Sequence, residues 1–174
     1  MFFGGYPAAV KAETKDEKLN VLNEIYRSYI EKDIGYLLRV KKTETFSHLI
    51  NILASQSGNI VNVSELSSTL GLAAATVKEY LWYIEKTFIT KKVTPYFKNI
   101  RREITKSPIY YFRDLGLQNF AKGGFSFGDK SENGFSFQNM VFNEIYKETE
   151  KNGGDIHFWR TKNATLVVVS LCRA

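Results

Sequence analysis

The chain has 174 residues, 44% hydrophobic and 24% charged, which is the balance of a folded globular protein and excludes a disordered segment. That length builds one ordinary domain or two small ones. A single cysteine, Cys172, excludes an internal disulfide, and no run approaches the roughly 20 apolar residues of a membrane helix. A reducing, cytoplasmic setting with no membrane partner is therefore expected.

Met1-Phe2-Phe3-Gly4-Gly5-Tyr6-Pro7 lacks a basic n-region and breaks its apolar run early, so residues 1–15 read as a leader and not as a signal peptide. Leu19, Leu22, Tyr26, Tyr29, Ile30, Ile34 and Leu37 recur at three- and four-residue spacing and predict an amphipathic helix over 16–40. A second helix is predicted over 44–56, with Phe46, Leu49, Ile50 and Leu53 on one side, stopped by Ser57-Gly58-Asn59. A short helix over 64–70, a Gly71-Leu72 turn and a longer helix over 74–88 then make a helix-turn-helix, with Val77, Leu81, Ile84 and Phe88 as the apolar stripe. Two β-rich runs, 89–97 and 100–105, are expected to pair as an antiparallel hairpin around Lys98-Asn99.

Beyond Ser107-Pro108, residues 109–112 read as a buried strand, 114–117 as a turn and 123–136 as a Gly/Ser-rich loop carrying Gly-Phe-Ser-Phe twice. Residues 137–150 read as a helix with Phe137, Val141 and Ile145 on one face, and 155–161 and 165–171 as a second hairpin linked through Asn163-Ala164.

The net charge of +6 is concentrated. Residues 91–123 hold eight basic side chains (Lys91, Lys92, Lys98, Arg101, Arg102, Lys106, Arg113 and Lys122) against Glu103 and Asp114, while the rest of the chain is near balance. A patch of this kind can hold phosphates without reading sequence. The first turn of the longer helix is Ala73-Ala74-Ala75-Thr76, so only Thr76, Lys78 and Glu79 reach outward, and base-specific readout is expected to be poor. The DNA-binding candidates are Thr76, Lys78, Lys91, Lys92, Lys98, Arg101, Arg102 and Lys106. The same cations equally suit acidic groups of a protein partner, and the residues leave both readings open. No glycine is followed by lysine, which excludes a phosphate-binding loop of the Walker type. His48, His157 and Cys172 have no metal-ligand or nucleophile spacing around them, so no metal, cofactor or catalytic residue is expected.

Several strings together resemble one family: Gly4-Gly5-Tyr6-Pro7, the 26–34 segment, Thr105-Lys106-Ser107-Pro108, Tyr111-Phe112-Arg113-Asp114-Leu115-Gly116-Leu117, the 139–145 segment, and Phe158-Trp159-Arg160-Thr161-Lys162. In order and spacing they are similar to the C-terminal, domain-of-unknown-function region of prokaryotic predicted AAA+ ATPases. The resemblance implies a P-loop module before the Gly-Gly-Tyr-Pro string, then a winged helix, then a part similar to the restriction-endonuclease fold. This chain lacks the ATPase module. It has Gln138 in a string where the family has glutamate, and Leu166-Val167-Val168-Val169 where the family continues with Glu-Val-Asp-Phe. Carboxylates that would hold a nuclease cation are therefore missing, Glu144 and Asp155 being scattered, and the abrupt ending suggests a truncated or frameshifted relative.

The expected fold is α+β: a helical winged-helix region over 16–106 with a basic β-hairpin, then a small, incomplete α/β nuclease-like sheet over 107–174. The expected function is non-catalytic, weak binding of double-stranded DNA mainly through its backbone. The alternative is a protein-interaction or dimerisation module, its partner an ATPase or a second copy of the chain as a homodimer.

Overall fold

The computed structural model describes residues 2–37, 42–96, 106–124, 130–160 and 166–171. In chain order the elements are α1 (Pro7–Lys11), α2 (Lys15–Ser28), a π-helical segment (Tyr29–Leu37), α3 (Thr43–Ser55), α4 (Val63–Leu70), α5 (Ala74–Lys86), β1 (Thr90–Pro95), β2 (Ile109–Phe112), α6 (Leu115–Ala121), α7 (Lys130–Lys151), β3 (Asp155–Arg160) and β4 (Leu166–Leu171). The fold is α+β with one small sheet, in the order β2-β1-β3-β4.

The helix predicted over 16–40 starts at a capping box. Thr14 Oγ1 accepts from Glu17 N at 3.2 Å, and Glu17 Oε2 accepts from Thr14 N at 3.2 Å. After Ser28 it widens to π-helical geometry, a departure from the uniform 3.6-residue period expected. Leu22 and Ile34 stay fully buried on either side of that change.

The chain builds two hydrophobic clusters that share a wall. The larger packs Phe46, Leu49, Ile50 and Leu53 of α3 against Val77, Leu81 and Ile84 of α5, with Phe46 and Tyr80 edge to face at 5.0 Å. The smaller joins Val93, Ile109, Tyr111, Phe142, Ile156 and Phe158 between the sheet and α7, with the Tyr111 and Phe142 rings stacked at 4.0 Å. Strand β2 serves both. Tyr110 and Phe112 enter the helical cluster and Ile109 and Tyr111 the sheet cluster, because successive side chains leave a strand on opposite faces. Burial pushes the Tyr111 phenol up to about 12, with the hydrogen bond from Gln138 Nε2 at 2.9 Å pulling the other way.

Four expectations are corrected by the strand and helix pattern. β1 takes β2 as its antiparallel partner, from Thr90↔Phe112 to Val93↔Ile109, where pairing with the 100–105 run was expected; that run lies outside the described residues. Residues 114–117 are not a free turn. Asp114 caps α6, its Oδ1 accepting from Leu117 N at 2.8 Å, and the helix continues to Ala121. Helix α7 begins at Lys130, inside the stretch read as a loop. Its buried face carries Asn139, Phe142 and Thr149, whereas Phe137 is 63% exposed.

That rotation of α7 has a polar cause. Asn139 is fully buried; its Oδ1 accepts from Phe112 N and its Nδ2 donates to Phe112 O, both at 2.8 Å. One amide side chain thus replaces a neighbouring strand at the outer edge of β2. Gly58 N and Val61 N donate to Tyr110 O and Pro108 O at 3.2 and 2.8 Å along the same edge, which keeps it from pairing with another chain.

Residues expected as a leader are packed. Gly4 adopts φ +74°, and a Cβ there would run into the Asp114 carboxylate. Gly5 N donates to Asp114 Oδ2 at 2.6 Å, and Asn119 Nδ2 donates to Phe2 O at 2.9 Å. Gly116 has no room for a Cβ because the Phe3 carbonyl occupies the place it would take. Gly4-Gly5 and Asp114-Leu115-Gly116, over a hundred residues apart, are two halves of one clasp. Burial, then the Asp114 charge, push the Tyr6 phenol up beside it.

The hairpin expected near the C-terminus is present. β3 and β4 pair antiparallel from Asp155↔Leu171 to Arg160↔Leu166, and β3 joins β1 in parallel through Thr94↔His157 and Pro95↔Phe158.

Candidate nucleic-acid interface

The α4–Gly71–α5 unit is built by local chemistry. Asn62 caps α4, its Oδ1 accepting from Ser64 N at 3.0 Å, and Gly71 ends the helix in the left-handed region at φ +62°. Helix α5 starts at Ala74, with Ala73 before it supplying no side-chain cap, and buries Val77, Tyr80, Leu81 and Ile84. The stripe expected to end with Phe88 ends instead at Ile84. Ile89 N bonds Ile84 O at 3.2 Å and Phe88 N bonds Glu85 O at 3.1 Å, a Schellman stop that places Phe88 in the left-handed position. Phe88 consequently turns outward, 73% exposed, and Ile89 takes the core position.

Between α5 and the β1–β2 pair lies a groove of about 670 Å³. From α5 it is lined by Ala74, Lys78, Leu81, Trp82 and Glu85, which share one face at helical spacing. Residues 61–64 supply the wall at the start of α4, and Lys92, Lys106 and Tyr110 come from the hairpin side. Three cations from separate parts of the chain, Lys78, Lys92 and Lys106, thus converge, with Glu85 the opposing charge. None of the three makes an ion pair among the described residues. Burial, and secondly the Glu85 charge, push the Tyr110 phenol well up, so it is a neutral hydrogen-bonding group there. Trp82 is 53% exposed, with Lys86 Nζ 5.9 Å from its ring centroid and Tyr83 edge-on at 5.5 Å.

The other sequence candidates lie elsewhere. Lys91 points to the opposite face of β1, its Nζ 4.9 Å from the Tyr146 ring centroid, and Arg113 meets the same ring at 4.6 Å. Thr76 is half-buried, two residues from both Ala74 and Lys78 and so on the far side of α5 from the groove. Lys98, Arg101 and Arg102 lie outside the described residues. Trp82 was not among the sequence candidates. The available signal was its spacing, four residues from Lys78 and off the Val77–Leu81–Ile84 stripe.

Of the residues weighed for other chemistry, Cys172 lies outside the described residues. His157 Nδ1 is 3.2 Å from Thr94 Oγ1, at the β1–β3 junction. Glu144 pairs with Lys147 at 2.8 Å on the exposed face of α7. Gln138 lies against Gly58, where an added Cβ would meet its Oε1 at 3.1 Å. Among the described residues no three His, Cys, Asp or Glu side chains group to hold a metal ion, and no helix is long and apolar enough to cross a membrane.

A family described as a domain of unknown function, DUF8612, matches residues 1–127, a span that includes the groove and both halves of the clasp. The chain belongs to this family. An uncharacterized protein of Mycobacterium tuberculosis is 24% identical over 162 residues, covering 91% of this chain and 36% of its own length. An uncharacterized protein of Haemophilus influenzae is 29% identical over 156 residues, covering 87% of this chain and 37% of its own. The chain therefore spans little more than a third of these curated relatives. No solved structure matches it.

Proposed function

We propose that this member of the DUF8612 family is a non-catalytic winged-helix protein that binds DNA weakly, through its backbone and without sequence preference. The observation that carries this reading is the convergence of Lys78, Lys92 and Lys106 on one groove beside α5. The order of elements supports it. Helix α3, a single bridge at Ile60↔Ile109, α4, the Gly71 turn, α5 and the antiparallel β1–β2 pair follow one another as in a winged helix. The Ala73-Ala74-Ala75 start of α5 offers base edges no donor or acceptor, which fits contact through phosphates. We further read the chain as a relative of the C-terminal region of AAA+ ATPases, with a nuclease-like part whose cation-holding carboxylates are replaced, and as a cytoplasmic protein.

Fluorescence anisotropy of a labelled random duplex, titrated at two salt concentrations, tests the reading. Each phosphate contact steepens the salt dependence by about 0.9 in log K against log salt, so replacing all three lysines with alanine flattens the slope by up to about 2.7. Unchanged affinity in that variant refutes the groove as the DNA contact. A second reading, association with a protein or with another copy of the chain, rests on β4, whose outer edge has no strand partner among the described residues. Light scattering that shows a monomer at high concentration counts against the second copy.

A further inference from the structure

The shape of the groove bears on which form of DNA it takes, an inference that rests on the DNA reading above. A duplex is a convex rod with its bases stacked inside, and a protein reads or grips it by protruding into its grooves. Here the three cations do not crown a protrusion. They line a half-open concavity of about 670 Å³, room for a short stretch of chain lying in it. The first turn of α5, the part able to protrude, ends in alanine methyl groups. In the same concavity stands Trp82, a large aromatic left 53% exposed, although its neighbours Val77, Leu81 and Ile84 are buried.

A basic concave track with a half-exposed aromatic in it is the combination that holds unpaired nucleotides: cations follow the phosphates and an aromatic ring takes a base face. We infer that the groove is a site for single-stranded DNA, in which Lys78, Lys92 and Lys106 hold phosphates and Trp82 stacks one unpaired base. Lys86, already over the indole ring, adds a cation beside the stack. Glu85, at the same groove, disfavours a phosphate at its own end and so limits how the strand can lie.

The test compares a labelled fifteen-nucleotide thymidine strand with a duplex of equal length, for the unaltered chain, Trp82→Ala and Trp82→Phe. Circular dichroism checks that the variants stay folded, which half-exposed Trp82 should permit. The expected result is tighter binding of the single strand. Trp82→Ala then weakens the single strand about tenfold and the duplex less than twofold, and Trp82→Phe keeps most of the affinity. In a Trp159→Phe background Trp82 is the sole tryptophan, and its fluorescence should be quenched as the strand binds. Salt-dependent duplex binding with no selective effect of Trp82→Ala on the single strand overturns this inference and leaves the DNA reading standing. No salt-dependent binding of either probe overturns both.

Discussion

Replacing Asn139 isolates the contribution of one buried amide to the joint between β2 and α7. In Asn139→Ala the Phe112 N–H loses its acceptor in a fully buried site. The Phe112 carbonyl keeps the Asn143 Nδ2 donor at 3.0 Å, and the Ser57 hydroxyl, which donates to Asn139 Oδ1 at 2.9 Å, has Tyr110 O at 3.4 Å as a second acceptor. One backbone donor is therefore orphaned, at about 1–3 kcal/mol, and the other lost bonds and the small void bring the total to about 2–4 kcal/mol. Against a typical stability of about 5–15 kcal/mol, that moves the midpoint of a urea titration followed by circular dichroism substantially. Asn143→Ala is the control. It leaves every partner of Asn139 in place, removes one donor from Phe112 O, which keeps another, and removes a long 3.4 Å bond to the part-buried Arg113 O, so it costs about 1 kcal/mol or less. If Asn139→Ala costs no more than Asn143→Ala, the amide is not acting as a substitute strand.

Asn139→Asp extends the same experiment to pH. A protonated carboxyl can accept from Phe112 N and donate to Phe112 O as the amide does, whereas a carboxylate confronts that carbonyl with a buried charge. The folded-state pKa of the introduced acid is thus raised above its unfolded value of about 3.9. Between those two values the native state binds the extra proton, so the variant's deficit relative to the unaltered chain grows as pH rises from about 4 and levels off above the folded pKa. A deficit that does not change between pH 4.5 and 8 refutes the pairing.

Two further outcomes follow from the backbone. Asp114→Ala removes the α6 cap and the acceptor for Gly5 N, and Gly116→Ala forces the Phe3 carbonyl away; each should cost about 1–3 kcal/mol and speed proteolysis within residues 2–5. The double variant should fall well short of the sum, since both changes open one clasp, and full additivity in a denaturation series would refute the coupling. Phe88→Gly should raise stability by about 0.5–1 kcal/mol, because the exposed ring contributes little packing and glycine adopts φ +61° without strain; a lower unfolding midpoint would show that the ring is held by contacts that offset the strain.

Elements whose signals are local were legible in the sequence. The α4–Gly71–α5 unit carries a cap, a left-handed glycine and an apolar stripe within a short span, and the β3–β4 pair is two apolar runs close together in the sequence. What escaped was set by partners distant in the chain. Helix α6 hides behind Gly116, which looks like a turn residue until Phe3 is seen lying against it. The face of α7 was misjudged because periodicity counts apolar side chains, and the residue that orients the helix is an asparagine bonded to a strand 27 positions earlier. Lysines of the 91–106 segment formed a patch in sequence, yet the pleat of β1 divides Lys91 from Lys92, and only the latter joins Lys78 at the groove.

The four residues of β2 leave almost no latitude for error. Slipping the strand by one position against β1 would exchange its contents, sending Tyr110 and Phe112 toward α7 and Ile109 and Tyr111 toward α3 and α5. Each cluster thereby proofreads the alignment of the other, and a displacement imposed on the hairpin at the groove has a direct mechanical route to α7 on the opposite side of the sheet.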